Sequence, residues 1–135
     1  MCIFCKIING EIPSKKIYED EDVLAILDIS QATKGHTLVL PKKHYANLLE
    51  IEDYEYLKVM NKAKDIAKAI EKTYNPAGFN ILNNCNEKAG QTVMHFHVHV
   101  IPRYENDNVE IKFVDHSKNY NLDDIQKDIL KNIEE

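Results

Sequence analysis

The run His95-Phe96-His97-Val98-His99-Val100-Ile101 limits the fold of this chain more than any other feature. Successive side chains of a strand point to opposite faces and advance by about 3.3 Å each. A strand expected from Met94 to Ile101 puts Phe96, Val98 and Val100 into a core, while His95, His97 and His99 share the opposite face. One alternative is three satisfied histidines, which demands a separate hydrogen-bonding partner for every imidazole removed from water. Another is a three-histidine metal site. The flanks weigh against the metal. Gly90 lets backbone approach a ligand closely, Gln91 and Thr92 offer side-chain donors, and Asn84 stands across the same loop. Amide, hydroxyl and imidazole donors converging on one place suit phosphate oxygens better than a bare cation.

The other elements follow from period and punctuation. Ile3 to Ile8 reads as a short helix ended by Asn9-Gly10. Two strands are expected at Lys16–Glu19 and Val23–Leu27 around the acidic turn Asp20-Glu21-Asp22, and a third at His36–Leu40, stopped by Pro41. From Asp53 to about Tyr74 the period lengthens: Val59, Ala63, Ile66, Ala67, Ile70 and Tyr74 fall at helical spacing, and Asn75-Pro76 ends the run. Phe79–Asn83 is a fourth strand. Asn121 caps a final helix from Leu122 to about Ile133, with Ile125, Ile129, Leu130 and Ile133 on one side. The expectation is a single α+β domain over residues 1–135. It has a mainly antiparallel five-stranded sheet, one long helix, a short N-terminal helix and a C-terminal helix.

Charge and cysteine content narrow the function classes. The net charge of −5, from 17 basic and 22 acidic residues, is the wrong sign for a duplex nucleic acid partner. A small phosphorylated ligand needs only a local cluster of donors. Apolar runs such as Leu38-Val39-Leu40 fall far short of the roughly 20 residues that span a bilayer. The start of the chain lacks the basic head and long apolar stretch of a signal peptide. No membrane or nucleic acid partner and a cytoplasmic location are therefore expected. Three cysteines are too few for a disulfide scaffold. Cys2 and Cys5 form a Cys-x-x-Cys, which reads as half a zinc site or a redox pair. A redox pair would follow a strand, and none can precede Cys2, so half a zinc site is the better reading; two thiols without metal remain the alternative. Cys85 reads as a plain small side chain.

The stretch Gly90 to Arg103, with His-φ-His-φ-His-φ-φ at its centre (φ apolar), resembles the signature of the histidine-triad family. The resemblance extends through Asp28-Ile29-Ser30 and through Lys34-Gly35-His36-Thr37 to His44. It covers residues 1–103, leaving 104–135 as a C-terminal extension with a helix. The resemblance implies the family fold and nucleotidyl transfer at a phosphorus α to a nucleoside. His97 matches the nucleophile that forms a covalent nucleotidyl-imidazole intermediate, His99 the residue that contacts phosphate and assists the leaving group, and His36 a histidine supporting the row. Asn84, Gly90, Gln91 and Thr92 match the phosphate-contacting stretch. Asp28 matches an acid that binds ribose hydroxyls, and Ile3, Phe4, Ile7, Ile26 and Ile29 match an apolar purine pocket. Related proteins complete a structural zinc site with two histidines, here His44 and His95 beside Cys2 and Cys5. Family members pair as two-fold homodimers through the long helix and fourth strand.

The implied function is hydrolysis of a nucleoside phosphoramidate or dinucleoside polyphosphate, releasing a nucleoside monophosphate, with adenosine phosphates as the expected ligands. Neutral imidazole is nucleophilic near neutral pH, so the chemistry stands on its own terms. The alternative is an adenine-nucleotide-binding sensor acting through a protein partner. A pure sensor could dispense with His97, and the intact row favours the enzyme.

Overall fold

The structure is a computed structural model that describes residues 2–134. Helix α1 (Ile3–Ile8) leads into strands β1 (Lys16–Glu19), β2 (Val23–Leu27) and β3 (Thr37–Pro41), then helix α2 (Asp53–Tyr74). Strands β4 (Gly78–Leu82) and β5 (Val98–Arg103) follow, and helix α3 (Leu122–Leu130) closes the described chain. The strands form one sheet in the order β1-β2-β3-β5-β4, antiparallel at every pairing. This is the expected α+β architecture.

Alternation along the strands builds two apolar layers. Val23 and Ala25 of β2, Val39 of β3, and Val98 and Val100 of β5 meet Val59, Ala63, Ile66 and Ile70 of α2. Leu24, Ile26, Leu38 and Leu40 point the other way, against Phe4 and Ile7 of α1. The face that carries His99 is thus the α1 face. Helix α2 stops where Asn75 takes a left-handed conformation (φ 49°) ahead of Pro76.

Three strands differ in their bounds from the sequence reading. β3 starts at Thr37, so His36 belongs to the preceding loop. β4 runs Gly78–Leu82 and excludes Asn83. β5 begins at Val98 and continues through Pro102 to Arg103, where Gly78 and Phe79 of β4 still pair with it. His95 and His97 therefore precede the strand. Their backbone is held by long-range bonds in place of a ladder: the Phe96 N–H donates to the Tyr45 carbonyl at 2.7 Å, and the Asn83 amide donates to the His97 carbonyl at 2.9 Å.

The C-terminal helix forms under its Asn121 cap, which accepts from the N–H groups of Asp123 and Asp124. It ends at Leu130, short of Ile133. Among the described residues its apolar side joins neither core cluster: Leu122, Ile129 and Leu130 are all exposed, as are Phe113 and Val114 before it. Near the start of α2, Tyr56 is half-buried against the Phe96 ring, whereas Tyr54 and Leu57 are exposed.

Candidate active site

The three histidines reach one face despite the late start of β5. Phe96 is fully buried among α2 side chains, while His95 and His97 turn to the α1 side, where Phe4 meets both rings edge-on at 5.9 and 5.0 Å. His97 and His99 follow one another with ring centroids 5.1 Å apart.

Hydrogen-bond partners assign the tautomers. A carbonyl only accepts, so Nδ1 of His97, 2.7 Å from the His95 carbonyl, carries a proton and Nε2 keeps its lone pair. His95 donates from Nε2 to the Pro41 carbonyl at 2.8 Å, leaving its Nδ1 unprotonated. The Ala32 N–H donates to Nδ1 of His36 at 3.1 Å, so Nε2 of His36 bears the proton. That Nε2 lies 2.9 Å from Nδ1 of His99 and 3.5 Å from the Asp28 carboxylate. His99 accepts at Nδ1 and offers Nε2–H outward. Asp28, His36 and His99 bring potential metal-ligand atoms within 4.8 Å of one another, yet the proton on His36 Nε2 makes the trio a hydrogen-bonded relay instead of a ligand set.

Burial keeps these imidazoles neutral. Desolvation lowers His99 to a pKa of about 4, aided by neighbouring His97 and His36 and opposed by Asp28. It also lowers His97 and His36. A neutral His97 with a free Nε2 is a nucleophile at ordinary pH.

His97 and His99 form one end of a cavity of about 360 Å³. Its walls include Ile3, Phe4, Ile7, Ile26 and Ile29, every member of the expected apolar pocket, with Asp28 and Thr92 as the polar edge. Ile29 stands at the rim with 99% of its surface exposed. The sequence reading missed Ile12, Pro13, Ser14, Leu27, Leu38 and Val93, which complete the lining; Leu38 is the residue paired with His99 across β3 and β5. Asn84 and Gly90 are not among the lining residues. They face each other beyond β4, where a Cβ on Gly90 (φ 106°) would sit 3.3 Å from the Asn84 amide nitrogen, so only glycine fits without strain.

Gln91 corrects the sequence reading. It is buried, and its amide is spent within the fold: Nε2 donates to the Ala46 and Val93 carbonyls at 2.7 and 2.9 Å, and Oε1 accepts from the Asn86 N–H at 2.8 Å. It shapes the loop that delivers Thr92 and has no donor left for substrate. Asn83 was also missed as the residue holding the His97 carbonyl.

Cys2, Cys5, His44 and His95 converge behind the row. Their six Sγ and Nδ1 separations run from 3.1 Å (Cys2–Cys5, His44–His95) to 3.7 Å (Cys2–His44). Tetrahedral zinc with bonds of roughly 2.0–2.3 Å sets ligand separations of about 3.3–3.8 Å, so the cluster is close to that size. Burial and the adjacent Cys2 sulfur push the Cys5 thiol up. The unprotonated His95 Nδ1 faces both sulfurs, as a metal ligand must.

Comparison with known proteins settles the family. A family model described as HIT domain matches residues 9–106. The chain belongs to the HIT domain family. It is 52% identical over 126 residues to "Protein hit" of Bacillus subtilis, covering 93% of this chain and 87% of that one. An adenosine 5′-monophosphoramidase of Schizosaccharomyces pombe is 42% identical over 102 residues, 76% of this chain and 74% of its own. The crystal structure of a HIT family protein from Bacillus anthracis superposes with a TM-score of 0.92 at 49% identity, covering 98% of this chain and 97% of the other. A Zn-bound histidine triad family protein of Mycobacterium smegmatis gives 0.77 at 38% identity, with coverage of 87% and 86%. Among the described residues no helix is long and apolar enough to cross a membrane.

Proposed function

We propose that this chain is a nucleotide hydrolase or nucleotidyl transferase that cleaves at the α-phosphate of a nucleoside phosphoramidate or dinucleoside polyphosphate. The observation that carries the reading is the unprotonated Nε2 of His97, fixed by the Nδ1–H bond to the His95 carbonyl and set in the wall of the cavity. Its lone pair forms a P–N bond as the bond from phosphorus to the leaving group breaks. Water then forms a P–O bond, the P–N bond breaks, and a nucleoside monophosphate departs with His97 regenerated. His99 Nε2–H donates to a phosphoryl oxygen or the leaving atom, and His36 holds that tautomer by donating to His99 Nδ1. Asp28 accepts from ribose hydroxyls, Thr92 donates to phosphate, and Phe4, Ile7 and Ile26 sandwich the base. Asn84 and Gly90 shape the phosphate side of the loop. The name of the S. pombe relative supports an adenosine phosphoramidate as one substrate.

Cys2, Cys5, His44 and His95 fit a structural Zn²⁺ by donor chemistry and spacing, and the Zn-bound M. smegmatis neighbour supports that reading. Bound there, the ion would neutralise two thiolates and tie α1 to the catalytic segment; the chemistry at phosphorus needs nothing further from it.

Acid-free quenching of the protein with adenosine 5′-phosphoramidate or diadenosine polyphosphate, followed by peptide mass spectrometry, tests the mechanism. An adenylyl adduct on the peptide containing His97 is expected. Turnover with no adduct, and with no loss of rate in a His97→Ala variant, would overturn it.

A further inference from the structure

The loop between β2 and β3 carries two groups the reaction needs, Asp28 at its start and His36 at its end. One side chain spans them. Nε2 of Gln31 donates to the Asp28 carbonyl at 2.6 Å and to the His36 carbonyl at 2.7 Å, while its Oε1 accepts from the Gly35 N–H at 2.9 Å. The amide thus uses both hydrogens and one lone pair on backbone at the two ends of its own loop. Asp28 N–H donates to the same His36 carbonyl at 3.0 Å, closing the neck. The next residue, Ala32, supplies the N–H that fixes His36 Nδ1 as an acceptor.

We propose that Gln31 is a positioning residue for the transfer reaction: it draws the ends of the loop together so that Ala32 fixes the His36 tautomer and His36 fixes that of His99. The inference rests on the nucleotidyl-transfer reading of the site. A free imidazole exchanges its proton between two nitrogens, and only the form with Nε2–H outward can donate to a phosphoryl group from His99. A tautomer held by a chain of two hydrogen bonds, Ala32 to His36 and His36 to His99, depends on the backbone at its far end. Gln31 lies outside that chain and does not itself line the cavity beside His97; it acts through the Asp28 and His36 carbonyls it holds and through Ala32 next to it. Its exposure means that losing it leaves the core intact.

The test compares Gln31→Met, which keeps length and loses all three bonds, with Thr33→Val in the same loop. Thr33 is buried and donates to the Pro102 carbonyl, so its variant reports simple loosening. Imidazole ¹H–¹⁵N correlation spectra of the full ¹⁵N-labelled chain give the tautomers, and steady-state rates with adenosine 5′-phosphoramidate give kcat and KM. In Gln31→Met, His36 and His99 are expected to move to mixed tautomers, with kcat down about tenfold and a smaller rise in KM. Thr33→Val should melt earlier while both tautomers and kcat stay as in the parent. Unmoved tautomers in Gln31→Met, or shifted tautomers with kcat within twofold of the parent, would overturn the role. If the parent turns over neither the phosphoramidate nor a dinucleoside polyphosphate, the functional reading fails on its own account and the spectra alone decide what Gln31 holds.

Discussion

In the proposed reaction His97 and His99 do different work because their Nδ1 atoms face different partners, a carbonyl in one case and a donating imidazole in the other. His97→Asn is therefore expected to lose at least about 10³-fold in kcat while still binding AMP. Isothermal titration against the inactive variant checks the second half, and loss of binding along with rate would point to collapse of the cavity. The buried, neutral state of His99 also sets a pH dependence. Its folded pKa of about 4 lies below the 6.5 of a free imidazole, so between those values the unfolded chain takes up a proton that the folded chain refuses. Stability is then complete above about pH 6.5 and falls as pH drops towards 4. His97 and His36 add to this depression and Asp28 opposes it. Melting curves at pH 7 and 5 should separate by several degrees, with the gap narrowed in His99→Asn. Glu19, held at about 2 by Lys16 and Lys42, acts in a lower window, whereas His95, lowered to about 4 by burial, and His97 and His36, lowered likewise, contribute in this one, so His99→Asn narrows the gap without closing it.

At the scale of elements, α1 is six residues long and would be marginal alone. It is fixed by Phe4 and Ile7 on one side and by the cysteine cluster on the other. Cys2→Ser with Cys5→Ser is expected to lower the melting temperature by roughly 5–10 °C and to abolish stoichiometric zinc, with kcat reduced far less. Equal melting of the two proteins, read by calorimetry with metal analysis alongside, would mean the thiols hold nothing. Much of this layout was legible in the sequence. Period-two alternation placed Phe96, Val98 and Val100 in the core and the histidines opposite, and that survived where the backbone leaves the ladder. The place where β5 starts was not legible, because it depends on Tyr45 and Asn83 reaching in from distant segments. Gln91 was misread for the same reason: its amide is consumed by Ala46, and nothing local announces that partner. Asp28, whose sequence neighbours suggest only a turn, emerged through the family resemblance and was brought to the cavity wall by the fold.

For the whole molecule, the exposed Tyr54 and Leu57 on α2, the edge position of β4 with Ile81 exposed, and the exposed apolar side chains of α3 are large apolar groups left facing water in a single chain. A two-fold dimer through α2 and β4 is the expected assembly. Sedimentation at micromolar concentration should give twice 15.6 kDa, and Leu57→Asp should shift the boundary towards one chain; a parent that sediments as a single chain would refute the pairing. Within each chain, Phe4 touches His95 of the cysteine cluster and His97 of the cavity, one ring serving both. A wall shared in this way gives the two proposed binding events a route to coupling. Whatever factor an ion at the cluster adds to the affinity for AMP, AMP must return to the ion, because the free energies around a closed cycle sum to zero. Where that factor exceeds one, protein stripped of zinc would hold AMP more weakly, and excess AMP would slow the loss of zinc to a chelator.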